Sequence, residues 1–158
     1  MEPISSEGWV LATGGAGGNK TWYSATGGLD STLILRSSTS AHFLVMLVYT
    51  HPDLPLGRVR VTVSPVGDNK HSSSAAGDKK RPDFFLDPCC EGAFCPGTGP
   101  NRGIYKEFRV PEEGYFSDEI VTADQIEISV VVTKRDQETK CSKEGTDFSL
   151  VSIVGMSV

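Results

Sequence analysis

Apolar and polar residues alternate in two clear runs of the chain, Val59-Arg60-Val61-Thr62-Val63 and Ile126-Glu127-Ile128-Ser129-Val130. A period of two sends successive side chains to opposite faces of an extended backbone, so both runs read as half-buried sheet strands. Phe43 to Tyr49 is apolar throughout. Its β-branched and aromatic content suits a central strand covered on both sides. Further strands are expected over Trp9 to Ala12, Thr21 to Ala25, Leu29 to Arg36, Phe84 to Leu86, Tyr105 to Val110 and Phe148 to Val158. About eight or nine strands with turn signals between them predict an all-β fold, an antiparallel two-sheet β-sandwich that is jelly-roll-like. Helix is nearly absent from this pattern, and Pro111 to Phe116 has room for one turn at most before Gly114 stops it.

The length of 158 residues fits a single domain over residues 1–158. The 17 glycines and 9 prolines favour short strands and turns over a helical bundle. From Ser64 to Pro82 the chain has almost nothing to bury and is expected to form a long polar loop, because low hydrophobicity does not offset the entropy of fixing the backbone. A Cys-rich loop is expected over residues 87–103. With 15 Lys plus Arg against 20 Asp plus Glu, the formal net charge is -5, which excludes general electrostatic attraction to nucleic acid or anionic lipid. The longest apolar run, Phe43 to Tyr49, falls well short of the about 20 residues of a bilayer span, so no membrane span is expected.

The first residues carry no basic and apolar signal-peptide pattern. Four cysteines and the glycosylation triplet Asn19-Lys20-Thr21 nevertheless point to a secreted or extracytoplasmic protein. Cys89, Cys90 and Cys95 crowd one turn-rich stretch, and Cys141 stands alone. A bond between adjacent cysteines is strained, so one of Cys89 and Cys90 is expected to join Cys95 and the other to reach Cys141. The longer bridge closes about 50 residues and is worth roughly 4 kcal/mol on the chain-entropy model. The alternatives are free thiols, or a four-thiolate zinc site that lacks the paired C-x2-C knuckles such sites use.

The sequence offers no catalytic motif. His42, His51 and His71 lack the spacing of a helical zinc site, and there is no nucleophile elbow or phosphate loop. The Gly-rich run from Gly14 to Gly18 leads into Trp22 and Tyr23 rather than a helix, so it reads as a turn and not an anion cradle. Glu112, Glu113, Asp118 and Glu119 form either a solvated acidic loop or a calcium site, the first being favoured. No cofactor or metal is expected.

The remaining surface candidates are aromatic: Trp22, Tyr23, Tyr49, Tyr105 and Tyr115. An exposed ring beside polar groups on a sandwich is how a protein holds a sugar, the ring taking the apolar C–H face. Trp22, Tyr23 and Tyr49, with His51 and Asp53 on the loop after the apolar strand, are the expected ligand-binding residues, against the ordinary alternative that such rings are core or rim.

Three pieces of the chain also resemble the β-sandwich region that follows SGNH-like domains in some plant and algal proteins. Leu44-Val45-Met46-Leu47-Val48-Tyr49-Thr50-His51-Pro52-Asp53-Leu54-Pro55-Leu56-Gly57-Arg58-Val59-Arg60-Val61 resembles its pattern L-x-L-x-Y-L-x-S-Y-x-x-x-G-x-A-x-V, Gly8-Trp9 resembles its opening pair, and Phe148 to Val158 its closing strand F-x-L-x-x-I-x-V. The Ser-Tyr of the pattern is replaced around His51, Pro52 and Asp53, and Val66 to Arg81 looks like an insertion. The resemblance implies a non-catalytic accessory or binding sandwich, detached from an enzyme domain upstream. Two readings of function therefore stand: a carbohydrate-binding module, and a structural subunit that docks on protein partners through strand edges and long loops. A hydrolase comes third.

Overall fold

The computed structural model describes residues 1–14, 20–50, 56–66, 82–88, 104–134 and 145–158. Ten strands run in chain order: β1 Glu2–Glu7, β2 Trp9–Gly14, β3 Lys20–Ala25, β4 Thr32–Ser37, β5 Phe43–Thr50, β6 Arg58–Val66, β7 Asp83–Leu86, β8 Ile104–Val110, β9 Gln125–Thr133 and β10 Phe148–Met156. They form two five-stranded sheets, β1-β4-β9-β6-β7 and β2-β3-β10-β5-β8, with every strand pair antiparallel. The chain changes sheet at most connections, as in a jelly roll. The β-sandwich expected from the alternating pattern is therefore the fold.

The core lies where the alternation puts it. Val59, Val61 and Val63 of β6 and Ile126, Ile128, Val130 and Val132 of β9 are buried, while Thr62, Glu127 and Ser129 between them face outward. Leu44, Met46 and Val48 of β5 and Phe148 and Leu150 of β10 meet them from the second sheet. Trp9 is buried beside Phe148, edge to face at 6.0 Å between ring centroids.

Gly8 makes that burial possible. The chain leaves the first sheet for the second at Gly8 and returns through Gly27, and the two crossings touch. The Gly8 carbonyl accepts hydrogen bonds from the Thr26 and Gly27 amides at 2.8 and 2.9 Å. Gly8 has φ +80°, and a Cβ there would meet Ser31 Oγ at 2.3 Å, so the corner requires glycine.

Five features differ from the pattern-based expectation. β1 was not expected, because every residue of Glu2–Glu7 is exposed and leaves no apolar period; backbone pairing with β4 makes it a strand. Leu29 and Asp30 form a turn, with Asp30 at φ 67°, so β4 begins at Thr32. The helical turn lies at α1, Asp118–Val121, rather than over Pro111 to Phe116; Ile120 and Phe116 close one end of the core there. β6 extends to Val66, so Ser64, Pro65 and Val66 are strand, not loop.

The fifth is β5. Its burial alternates strictly, with Phe43, Val45, Leu47 and Tyr49 half-buried on the outward face, so it is covered on one side and not on both. Its outward apolar residues therefore face solvent.

Candidate functional site

The two outward faces of the sandwich differ in chemistry. On the first sheet Arg36 and Glu127 lie side by side in register and pair at 3.4 Å, with Thr62 and Ser129 in the next row. On the second sheet β5 turns Phe43, Val45, Leu47 and Tyr49 outward, beside Trp22 of β3, Val154 and Met156 of β10 and Tyr105 of β8, with Lys20, Ser24, Glu107 and Arg109 as polar neighbours. An antiparallel sheet with one solvated face ordinarily carries polar residues there, so the second face is the exception that needs a reason.

A groove of about 620 Å³ crosses this face, lined by Lys20, Thr21, Trp22, Tyr49, Tyr105, Ser149 and Val151. Strand pairing assembles it. Tyr49 and Tyr105 are direct cross-strand partners on β5 and β8, and their rings meet at 6.2 Å and 64°. Trp22 stands opposite Ala12 of β2, and its indole lies down over Gly14, where an added Cβ would be 2.8 Å from the ring. Between the two aromatic walls β10 contributes Ser149 and Val151. The β10–β5 register slips between Leu150 and Ser152, a bulge that gives the sheet a local bend under the groove.

The β5 end of the site is tied down by Thr50, which is fully buried and whose hydroxyl donates to the Pro88 carbonyl. The groove thus combines three rings with the hydroxyls of Thr21, Ser149 and the two tyrosines, and Lys20 is the one charged side chain among its described lining residues. Such a surface holds a molecule with an apolar face and a hydroxylated edge.

Of the residues expected from sequence, Trp22 and Tyr49 come together here. Tyr23 has the opposite strand parity and packs against the core, so it does not join them. His51 and Asp53 lie outside the described residues, as do Asn19, Cys89, Cys90, Cys95 and Cys141. Ser149 and Val151 were not among the candidates, and Tyr105 was a candidate aromatic but not one of the expected site residues. Tyr105 is an exposed aromatic in a β-rich segment, but only its pairing with Tyr49 identifies it.

Two other features of the surface have different chemistry. Arg109 stacks over Phe43 at 4.3 Å and near Tyr115 at 5.5 Å, and its Nη1 donates to the Pro111 carbonyl at 2.9 Å, so it fastens the segment after β8. The lateral cleft between β7 and β8 has Lys106 packed over Phe108 at 5.1 Å and a mouth of mixed charges, Asp83, Glu107 and Glu112 among them. Asp118 and Glu119 fall in the first turn of α1. No group of three or more metal-ligating side chains occurs among the described residues. No helix among them is long and apolar enough to cross a membrane.

No protein-family model matches the chain, and no curated protein matches it. Solved structures do. A two-domain esterase active on acetylated mannans aligns over 97% of this chain and 33% of that chain, with a TM-score of 0.52 and 13% identity. The form co-crystallised with mannopentaose aligns over the same shares, with a TM-score of 0.53 and 14% identity. A carbohydrate-binding module specific for non-crystalline cellulose aligns over 99% of this chain and 95% of that chain, with a TM-score of 0.49 and 10% identity. The chain thus spans about a third of the length of the esterase chains, and what it shares with them is the fold.

Proposed function

We propose that this chain is a non-catalytic carbohydrate-binding β-sandwich that holds a glycan in the groove between Trp22, Tyr49 and Tyr105. The observation that carries the reading is an aromatic-walled groove on an otherwise solvent-facing sheet, built by four strands and floored by Ser149 and Val151 of β10. A pyranose ring has an apolar C–H face and a rim of hydroxyls. The first suits the indole and phenol rings, and the second suits the hydroxyls of Thr21, Ser149 and the tyrosines. His51 and Asp53 follow Tyr49 closely in sequence and are proposed as further polar contacts.

Titration calorimetry against a panel of soluble oligosaccharides tests this. Mannopentaose, the sugar co-crystallised with the esterase of similar fold, is the first probe. Binding is expected to weaken by about 1–3 kcal/mol in Trp22→Ala, the range for losing one stacked ring. A folded sample that binds no member of the panel overturns the reading.

The same reading makes the chain an accessory region of a longer polypeptide, working outside the cytoplasm. Disulfides at Cys89, Cys90, Cys95 and Cys141 and a glycan on Asn19 belong to that proposal. Thiol titration of unfolded protein, with and without reductant, checks the disulfides: free thiols on all four cysteines count against an oxidising compartment.

A further inference from the structure

Among its described lining residues the groove holds one cation, Lys20, and no carboxylate, in a chain whose net charge is -5. Three cations sit on the strands of the second sheet, Lys20, Lys106 and Arg109, and two of them are engaged. Lys106 donates to the Asp87 carbonyl at 3.4 Å and lies over Phe108, and Arg109 lies over Phe43 and donates to the Pro111 carbonyl. Lys20 is exposed and has neither an ion pair nor a hydrogen bond among the described residues. Strand pairing fixes where it stands. Gly14 of β2 is its direct cross-strand partner, and the outer edge of the Trp22 indole lies over Gly14. Opposed Cα atoms in such a pair are about 5 Å apart. Trp22 itself is two residues along the same face of β3, about 7 Å away. The lysine stem therefore rises beside the outer edge of the ring.

A pyranose laid on the indole turns its C–H face to the ring and holds its equatorial groups in a parallel plane, pointing outward past the ring edge. The group carried on C5 is one of these. In a neutral hexose it is a hydroxymethyl, which displaces water from a neighbouring ammonium and returns one ordinary hydrogen bond. In a hexuronate it is a carboxylate, which returns a charge-assisted bond of about twice the strength. We infer, on the glycan-binding reading of this groove, that its ligand is a carboxylated glycan, a chain containing hexuronate whose carboxylate pairs with the Lys20 ammonium while its ring stacks on Trp22.

Calorimetry with two linear β-1,4-linked pentasaccharides, mannopentaose and pentamannuronate, tests this, because the two differ only in the oxidation of C6. At about 0.15 M salt the screening length is about 8 Å, so long-range repulsion between the acidic chain and a polyanion is largely screened and a contact pair is not. Pentamannuronate is expected to bind about fivefold more tightly than mannopentaose, the upper range for an exposed ion pair. Lys20→Gln is expected to bring that ratio to one or below, and Lys20→Arg, which keeps the charge, to preserve the preference. The side chain is exposed, so both variants leave the core intact, and the ratio in the unaltered chain is read without any variant. Mannopentaose carrying a 6-O-sulfate reads the other source of an anionic glycan. Its charge stands two bonds further from the sugar ring and is expected to add less than the carboxylate.

Mannopentaose bound as tightly as pentamannuronate or more tightly, a preference that survives Lys20→Gln, a preference lost in Lys20→Arg, or a sulfate that adds as much as the carboxylate overturns the inference and leaves the glycan-binding reading standing. A folded sample that binds neither pentasaccharide overturns it too. One that binds no oligosaccharide of the wider panel overturns the glycan-binding reading as well.

Discussion

Replacing Gly14 with alanine moves the wall of the groove without removing any group that a ligand touches. The new Cβ stands 2.8 Å from Trp22 Cη2 and 3.3 Å from Cζ3, where ordinary contact begins at 3.4 Å. The ring edge withdraws by a few tenths of an ångström to regain ordinary contact. β2 lies beneath it, so it lifts into the groove. Cη2 and Cζ3 are the far end of the side chain, so in the free protein a small rotation absorbs the shift at little cost, whereas pressing the ring back to its original place against the new Cβ costs about 1 kcal/mol, the low end for overpacking. If a bound sugar needs the original ring position, that cost appears as binding weakened by about two- to tenfold. Folding stability should hardly change, because the ring moves into open space. The φ of Gly14 is outside the left-handed region, so alanine there also restricts the unfolded chain, a gain of about 0.4–1 kcal/mol. A Tm within about 4 °C of the parent is expected.

Two assays read the two halves of this argument. The chain has two tryptophans, and Trp9 is only 3% exposed, so acrylamide quenching of fluorescence reports on Trp22. Gly14→Ala should increase quenching, and calorimetry with the same oligosaccharide should show the weaker binding. Unchanged quenching refutes the packing of indole on Gly14. Increased quenching with unchanged affinity refutes the role of the ring position in holding the ligand.

Gly8→Ala combines a positive φ with a collision against Ser31 where the two sheet crossings touch, and should cost about 2–4 kcal/mol in a urea melt; a loss below about 1 kcal/mol contradicts the account of that corner. Arg109→Ala removes the guanidinium between Phe43 and Tyr115 and the hydrogen bond to Pro111. Hydrogen exchange should accelerate across residues 111–116 while oligosaccharide affinity stays at the parent value, and exchange unchanged there removes Arg109 from its fastening role.

Much of the fold is readable from side-chain spacing because a sheet has a period of two. The valines of β6 and the isoleucines of β9 announce which positions are buried, and the structure buries them. The strand beginning at Trp9 is also legible, while the corner at Gly8 shows only in its positive φ and its contact with Ser31. β1 is not, since a strand exposed on both faces has no period and exists through backbone hydrogen bonds to β4. The site is half legible for a similar reason. Trp22 and Tyr23 are neighbours in sequence and equally aromatic, yet one lines the groove and the other packs against the core.

Local pattern by itself therefore determined the sandwich, the buried rows and the aromatic character of the β3 and β5 segments, because burial on one face imprints an alternation that needs no knowledge of partners. Tertiary pairing alone decided that the apolar run of β5 turns one side to solvent, that Tyr105 stands against Tyr49, and that β2 forms an edge. An outward apolar residue and a buried one look the same in a sequence. Only the strands and sheets packed around them settle which is which.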